Sequence, residues 1–158
     1  MVESYHLGWL SIKGKMQSIA RRGKGKSMII QDKAKLQGTA RDVAGSGWTS
    51  LRLLVRSHGM GFSMTETEVL PGAVLRLEYK HHVEACYCIG GAGTVIEVET
   101  GVRHEITPGV LYAPDAHDRH EVHAPAGGEV LRLICVFSPA LEGTEVHRPD
   151  GSYAPTEG

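Results

Sequence analysis

What most constrains the fold of this chain is a run of short segments, often alternating between apolar and polar residues, each closed off by glycine, proline or aspartate. Trp48 to Arg56, Phe62 to Leu70, Ala73 to Tyr79, Val83 to Ile89, Gly93 to Glu99, Val102 to Ile106, Val110 to Ala113, Arg119 to Ala124 and Val130 to Phe137 all read as extended. Turns such as Leu70-Pro71-Gly72 and Thr107-Pro108-Gly109 separate them. Evenly spaced short strands build a sandwich or a closed barrel. No repeat of solenoid period is present, so an all-β, single barrel is expected. Only Asp32 to Val43 reads as helix, a short one limited by Gly38. Ser138 to Gly158 is too rich in turn signals for a strand, yet it carries Glu145, His147 and Tyr153. It is expected to fold over one mouth of the barrel, a disordered end being the plainer alternative.

At 158 residues and 41% hydrophobic content the chain suits one globular domain with its own core. A net charge of −1 conceals an asymmetry: residues 1–27 hold Lys13, Lys15, Arg21, Arg22, Lys24 and Lys26 against the single acid Glu3. That composition reads as a flexible basic extension ahead of a domain spanning 28–158. A nucleic-acid arm or an organelle address are the sharper readings of the extension; a merely solvated tail is the simpler one, and no nucleic-acid partner is expected. Three cysteines, Cys86, Cys88 and Cys135, are an odd number without zinc-ribbon spacing, and Cys86 and Cys88 lie too close along a strand for a relaxed disulfide. A reduced, cytoplasmic setting is expected. No apolar run approaches the roughly 20 residues of a membrane helix, so no membrane partner is expected either.

Period-two alternation places Glu84, Cys86 and Cys88 on one face of their strand, pointing inward if that face lines the barrel. Trp48, Ser50 and Arg52 form a second stripe, and Leu131, Leu133, Cys135 and Phe137 a third. Together they would make an apolar wall facing a cationic hook, and an arginine in such a cavity usually takes a carboxylate. The simpler reading makes Trp48 and Phe137 plain core and Cys135 a small buried hydrophobe. The residues between Tyr112 and His120 suit a turn that makes these two neighbours across a hairpin. Strict alternation puts Tyr79 on the face opposite Glu84, so a cavity role for it calls for a bulge or bend.

The spacing of Gly72, Glu84 and Gly91 resembles the first motif of the cupins, with Glu78 and Lys80 where that motif carries its histidines. Pro108-Gly109-Val110-Leu111-Tyr112 resembles the second, with tyrosine in place of histidine and His120 following. A histidine-rich cage is thereby excluded, and the resemblance points to Glu84, Tyr112 and His120 as metal ligands. Carboxylate, imidazole and phenolate form a hard, mostly oxygen set, which favours ferrous iron first and zinc second.

Longer stretches resemble the ectoine synthases, from about Met28 to Pro155. They include Trp48-x-Ser50-x-Arg52, the block Tyr79 to Ile89, the Asp115 to His120 turn, Cys135-Val136-Phe137 and the tail Gly143 to Tyr153. That resemblance implies cyclisation of N4-acetyl-L-2,4-diaminobutanoate to ectoine with loss of water, in an iron-dependent cytoplasmic homodimer. It again implies Glu84, Tyr112 and His120 as ligands. Trp48, Arg52, Thr67, Tyr79, His82, Cys135, Phe137, Glu145 and His147 fall on cavity positions. The attacking amine must be neutral, so a general base is required; His82, or His147 with Glu145, fits that role. Two rivals stand beside this reading: an iron oxygenase on the same fold, and a cupin that binds a small zwitterion without converting it.

Overall fold

The computed structural model describes residues 28–153, so the basic extension lies outside the described residues. Ten strands follow one short helix: α1 (Lys33–Leu36), β1 (Asp42–Gly45), β2 (Trp48–Leu54), β3 (Ser63–Val69), β4 (Val74–Leu77), β5 (Val83–Gly90), β6 (Gly93–Glu97), β7 (Arg103–Ile106), β8 (Leu111–Tyr112), β9 (His120–His123) and β10 (Leu131–Ser138). They form two antiparallel sheets, of order β1-β2-β3-β10-β5-β8 and β4-β9-β6-β7. The expected all-β architecture is present, but the barrel is flattened. No ladder among the described residues joins the two sheets into a continuous ring.

The helix is shorter than its expected span. Asp32 caps it by accepting from the Ala34 amide at 3.0 Å, and Gln37 already leaves helical geometry. Gly38 donates its amide to the Asp42 carboxylate, and residues 42–45 become β1, paired with β2 across a two-residue Ser46-Gly47 turn. Gly47 has a φ of +78°, the left-handed geometry that such tight hairpins demand. Leu36 is buried and α1 packs on β2, so one turn of helix is enough to cover that edge.

Alternation on the long strands holds. On β5, Glu84, Cys86 and Cys88 are buried; on β10, Leu131, Leu133, Cys135 and Phe137 are. Burying a side chain such as Phe137 or Leu131 contributes about 1.5–3 kcal/mol. The register makes successive rungs across the larger sheet. Trp48, Val69 and Leu131 share one, and Arg52, Thr65, Cys135, Cys86 and Tyr112 share another. The interior therefore grades from apolar to polar along the strands. Gly91, one of the motif glycines, holds φ +66° where a Cβ would run into the Val130 carbonyl, so only glycine fits.

After β10 the tail crosses the polar end of the interior. The Leu141 amide donates to Ser63 Oγ at 3.1 Å, the Glu78 amide donates to the Gly151 carbonyl, and Lys80 pairs with Asp150 at 3.0 Å. Leu141, Ser152 and Tyr153 are buried, as the expected closure over one mouth requires.

Candidate active site

The polar rung and its neighbours gather the expected residues. Glu84, paired with Phe137 across β5 and β10, points into the interior, and His120 reaches it from β9 of the facing sheet. Glu84 Oε2 and His120 Nε2 stand 4.0 Å apart. Tyr112 completes the group, its ring centroid 6.1 Å from that of His120 and its backbone directly opposite Cys86. Tyr112 and His120 are not hairpin neighbours, however. β8 pairs with β5 and β9 with β4 and β6, so the intervening turn carries the chain from one sheet to the other and the two rings meet across the interior.

His120 donates Nδ1–H to the Asp118 carbonyl at 2.9 Å, which fixes its tautomer and leaves the Nε2 lone pair facing Glu84. Burial holds its pKa down and the ring neutral. Burial also pushes Glu84 up to about 7, partly offset by the Cys86 and Cys135 thiols and by Arg52. Tyr112 is raised well above the ordinary phenol range, again chiefly by burial. Glu84 Oε2 and His120 Nε2 have no hydrogen-bond partner. Two buried acceptors facing each other without a donor are costly, and a cation between them satisfies both. The donor set thus fits a divalent metal.

The raised Glu84 has a consequence for stability. Its pKa is 4.5 when unperturbed and about 7 in the folded chain, so the folded state holds the proton more tightly than the unfolded state does. That contribution is complete below pH 4.5 and is lost as pH rises through 7, amounting to about 3 kcal/mol. Glu84→Gln abolishes the titration. In denaturant unfolding of metal-free protein, wild type should lose about 3 kcal/mol relative to this variant between pH 4 and 8. A constant difference would mean that Glu84 is not held in a desolvated site.

Beside this cluster lies a cation without an anion. Arg52 is 1% exposed; its guanidinium donates to Ser50 Oγ at 3.1 Å, the Glu145 carbonyl at 2.9 Å and Tyr153 Oη at 3.2 Å, and Nε has no partner. All three acceptors are neutral. Ser50 Oγ continues to Thr67 Oγ1 at 2.8 Å and thence to Thr65 at 3.1 Å, a hydroxyl chain along the cavity wall. Trp48, Tyr79, Phe137, His147 and Tyr153 supply the aromatic lining; Tyr79 meets Phe137 edge-on at 5.2 Å, and His147 stacks on Tyr153 at 4.6 Å.

Tyr79 enters the cavity by a bend rather than a bulge. It continues the inward phase of Leu75 and Leu77 beyond β4, and the turn at Lys80-His81 resets the alternation before Glu84. Burial keeps its phenol protonated, and its hydroxyl donates to His147 Nε2 at 2.8 Å. Burial and then Arg52 depress His147 to about 4. Glu145 does not pair with His147. Its carboxylate accepts from the Glu142 and Gly143 amides, so its cavity contact is the backbone carbonyl on Arg52. His82 is buried, donates Nδ1–H to the Pro139 carbonyl at 2.8 Å and leaves Nε2 without a partner.

Three contributors were not assigned from the sequence. Tyr153 occupies the Arg52 hydroxyl position, and Cys86 lies between Glu84 and Tyr112. His117, at φ 59°, donates Nδ1–H to the Tyr79 carbonyl at 2.6 Å and so ties the 80–82 turn to the segment carrying His120.

Comparison with known proteins identifies the family. The sequence model of the ectoine synthases matches residues 28–157. The chain belongs to the ectoine synthase family. An L-ectoine synthase of Desulfosudis oleivorans is 48% identical over 126 residues, which cover 80% of this chain and 96% of that protein. The crystal structure of the ectoine synthase from P. lautus superposes with a TM-score of 0.69 at 40% identity, over 73% of this chain and 81% of the other. A cupin-2 domain from Rhodospirillum rubrum, with a TM-score of 0.52 at 23% identity over 58% and 60% of the two chains, shares the fold. Ectoine synthases are hydro-lyases, so membership makes the chain an enzyme acting on a small molecule. No described helix is long and apolar enough to cross a membrane.

Proposed function

We propose that this ectoine synthase closes N4-acetyl-L-2,4-diaminobutanoate to ectoine and water, with a metal held by Glu84, Tyr112 and His120. Ferrous iron is the first choice and zinc the second. The observation that carries this reading is the pairing of a buried, anion-free Arg52 with two orphaned acceptors, Glu84 Oε2 and His120 Nε2, in one interior. When bound, the metal supplies a Lewis acid for the amide oxygen.

The chain's own residues do the rest. Arg52 takes the substrate carboxylate, which displaces the Tyr153 hydroxyl and gives the buried guanidinium an anion. Trp48, Tyr79 and Phe137 pack the carbon chain into a bent conformation that brings amine and carbonyl together, with Thr67 and Cys135 on the wall. His82 Nε2, the imidazole nitrogen with a free lone pair, serves as base; that of His147 is taken by Tyr79, which with Glu145 holds the tail in place. The ammonium gives up two protons. They depart with the carbonyl oxygen as water, the new carbon–nitrogen bond forms, and the positive charge remains on the amidine. The tail excludes bulk water and disfavours the return reaction.

A cytoplasmic homodimer completes the reading. Val83, Tyr87 and Ile89 on the outer face of β5, together with Leu111 on β8, expose an apolar strip that suits a second copy. Because the candidate site residues all fall within 28–153, deleting residues 1–27 should leave kcat and KM within about twofold of the full chain, as read by steady-state kinetics. The function itself is tested by supplying iron-reconstituted protein with the acetylated diamine and following the product by NMR. Stoichiometric ectoine without oxygen uptake is expected; oxygen consumption, or binding without conversion, would overturn the assignment.

A further inference from the structure

Cys86, on the inward stripe of Glu84, stands among the candidate metal-site donors. It is 1% exposed, and in the rung of the larger sheet it is flanked by Cys135 on β10 and Tyr112 on β8. The donor atoms of Glu84, Cys86 and Cys135 lie within 4.8 Å of one another. The two sulfurs are 3.2 Å apart, and both cysteines are free thiols. The Cys86 thiol donates to Cys135, while Glu84 Oε2 lacks a partner, as does the buried His120 Nε2.

We propose that Cys86 contributes its sulfur to the metal centre as a fourth protein ligand beside Glu84, Tyr112 and His120. This rests on the metal-centre reading above and goes beyond it. Cys86 rather than Cys135 is the ligand because, besides lying within 4.8 Å of the Glu84 carboxylate, it stands directly opposite Tyr112 in the sheet, whereas Cys135 stands between Cys86 and Thr65. On binding, the S–H bond is exchanged for a sulfur–metal bond and the proton leaves to solvent. Cys135 then turns its own S–H toward the Cys86 sulfur, as a second-layer donor that orients the ligand. A soft sulfur added to a carboxylate, a phenolate and an imidazole shifts the preference of the site toward thiophilic divalent ions such as zinc and cobalt. In this chain the second-choice metal therefore competes with iron more strongly than an oxygen-rich triad would allow.

Titration of the metal-free full-length protein with Co2+ tests this independently of activity. One equivalent should produce visible d–d bands together with a near-ultraviolet sulfur-to-cobalt charge-transfer band. Cys86→Ser, nearly isosteric, should keep the d–d bands and lose the charge-transfer band, and its zinc affinity should fall by at least about tenfold. Cys135→Ser should keep both. Where the serine variant does not fold, Cys86→Val, which suits a strand, makes the same measurement. Cobalt bound with d–d bands but no charge-transfer band in wild type would overturn the proposal and leave the metal centre standing. So would a charge-transfer band that survives in Cys86→Ser or vanishes in Cys135→Ser. Failure of wild type to bind cobalt at all would overturn the metal-centre reading itself, and this proposal with it.

Discussion

Glu84→Ala leaves a folded protein that no longer retains metal. Purified and reconstituted in parallel, wild type should carry about one ion per chain and the variant less than about a tenth of that, with activity falling at least about a thousandfold. The reasoning is local. Glu84 is the carboxylate facing His120 Nε2 at 4.0 Å, and the remaining expected ligand, Tyr112, must lose a proton that burial makes hard to remove. Without the carboxylate, the cation would face only neutral groups at the start of binding. The fold should survive, because the carboxylate is itself a buried group lifted to about 7 by desolvation, and its removal relieves that cost. A Glu84→Ala protein with full metal content would remove this residue from the ligand set.

Arg52→Met separates function from stability. In the free enzyme the guanidinium is buried among neutral acceptors, with one nitrogen unpartnered, and its nearest compensation is the field of Glu84. Replacing such a charge by an apolar side chain of similar length is often neutral or stabilising. The thermal midpoint should therefore stay level or rise. A substrate carboxylate, by contrast, loses a charge-assisted hydrogen bond worth about 1.5–3 kcal/mol, so KM should rise by roughly 10- to 100-fold. Steady-state kinetics alongside a melting curve reads both. An unchanged KM, or a lower midpoint with unchanged kinetics, would make Arg52 a structural residue and remove it from substrate recognition.

Much of this site was legible because strand alternation is a local rule. Glu84 and Cys86 follow it on β5, as do Cys135 and Phe137 on β10, and the turn residues bounding the strands are chemically explicit. The differences arise where a turn resets phase or changes sheets. For Tyr79 the alternative of a bend over a bulge holds, because the Lys80-His81 turn separates its phase from that of Glu84. The step from Tyr112 to His120 passes between sheets, which segment length alone does not distinguish from a hairpin. Asp42 and Val43, the first residues of β1, fell inside the expected helix because Asp32 to Val43 lacks a strong break apart from Gly38; hairpin pairing with β2 overrode the weak propensity. Tyr153 and His117 act through contacts distant in sequence, and His117 through a backbone angle that leaves no mark on composition. Cys86 was read as one of three reduced thiols on the inward stripe of Glu84, and its register opposite Tyr112 is what brings those two side chains together.

The central claim is that one metal ion sits among side chains gathered from both sheets. Anomalous scattering at the iron edge, collected from crystals of iron-reconstituted protein, locates that ion directly. The predicted result is a single strong peak within bonding distance of Glu84, Tyr112 and His120. A peak elsewhere, or ordered iron with these three side chains turned away from it, would contradict the account.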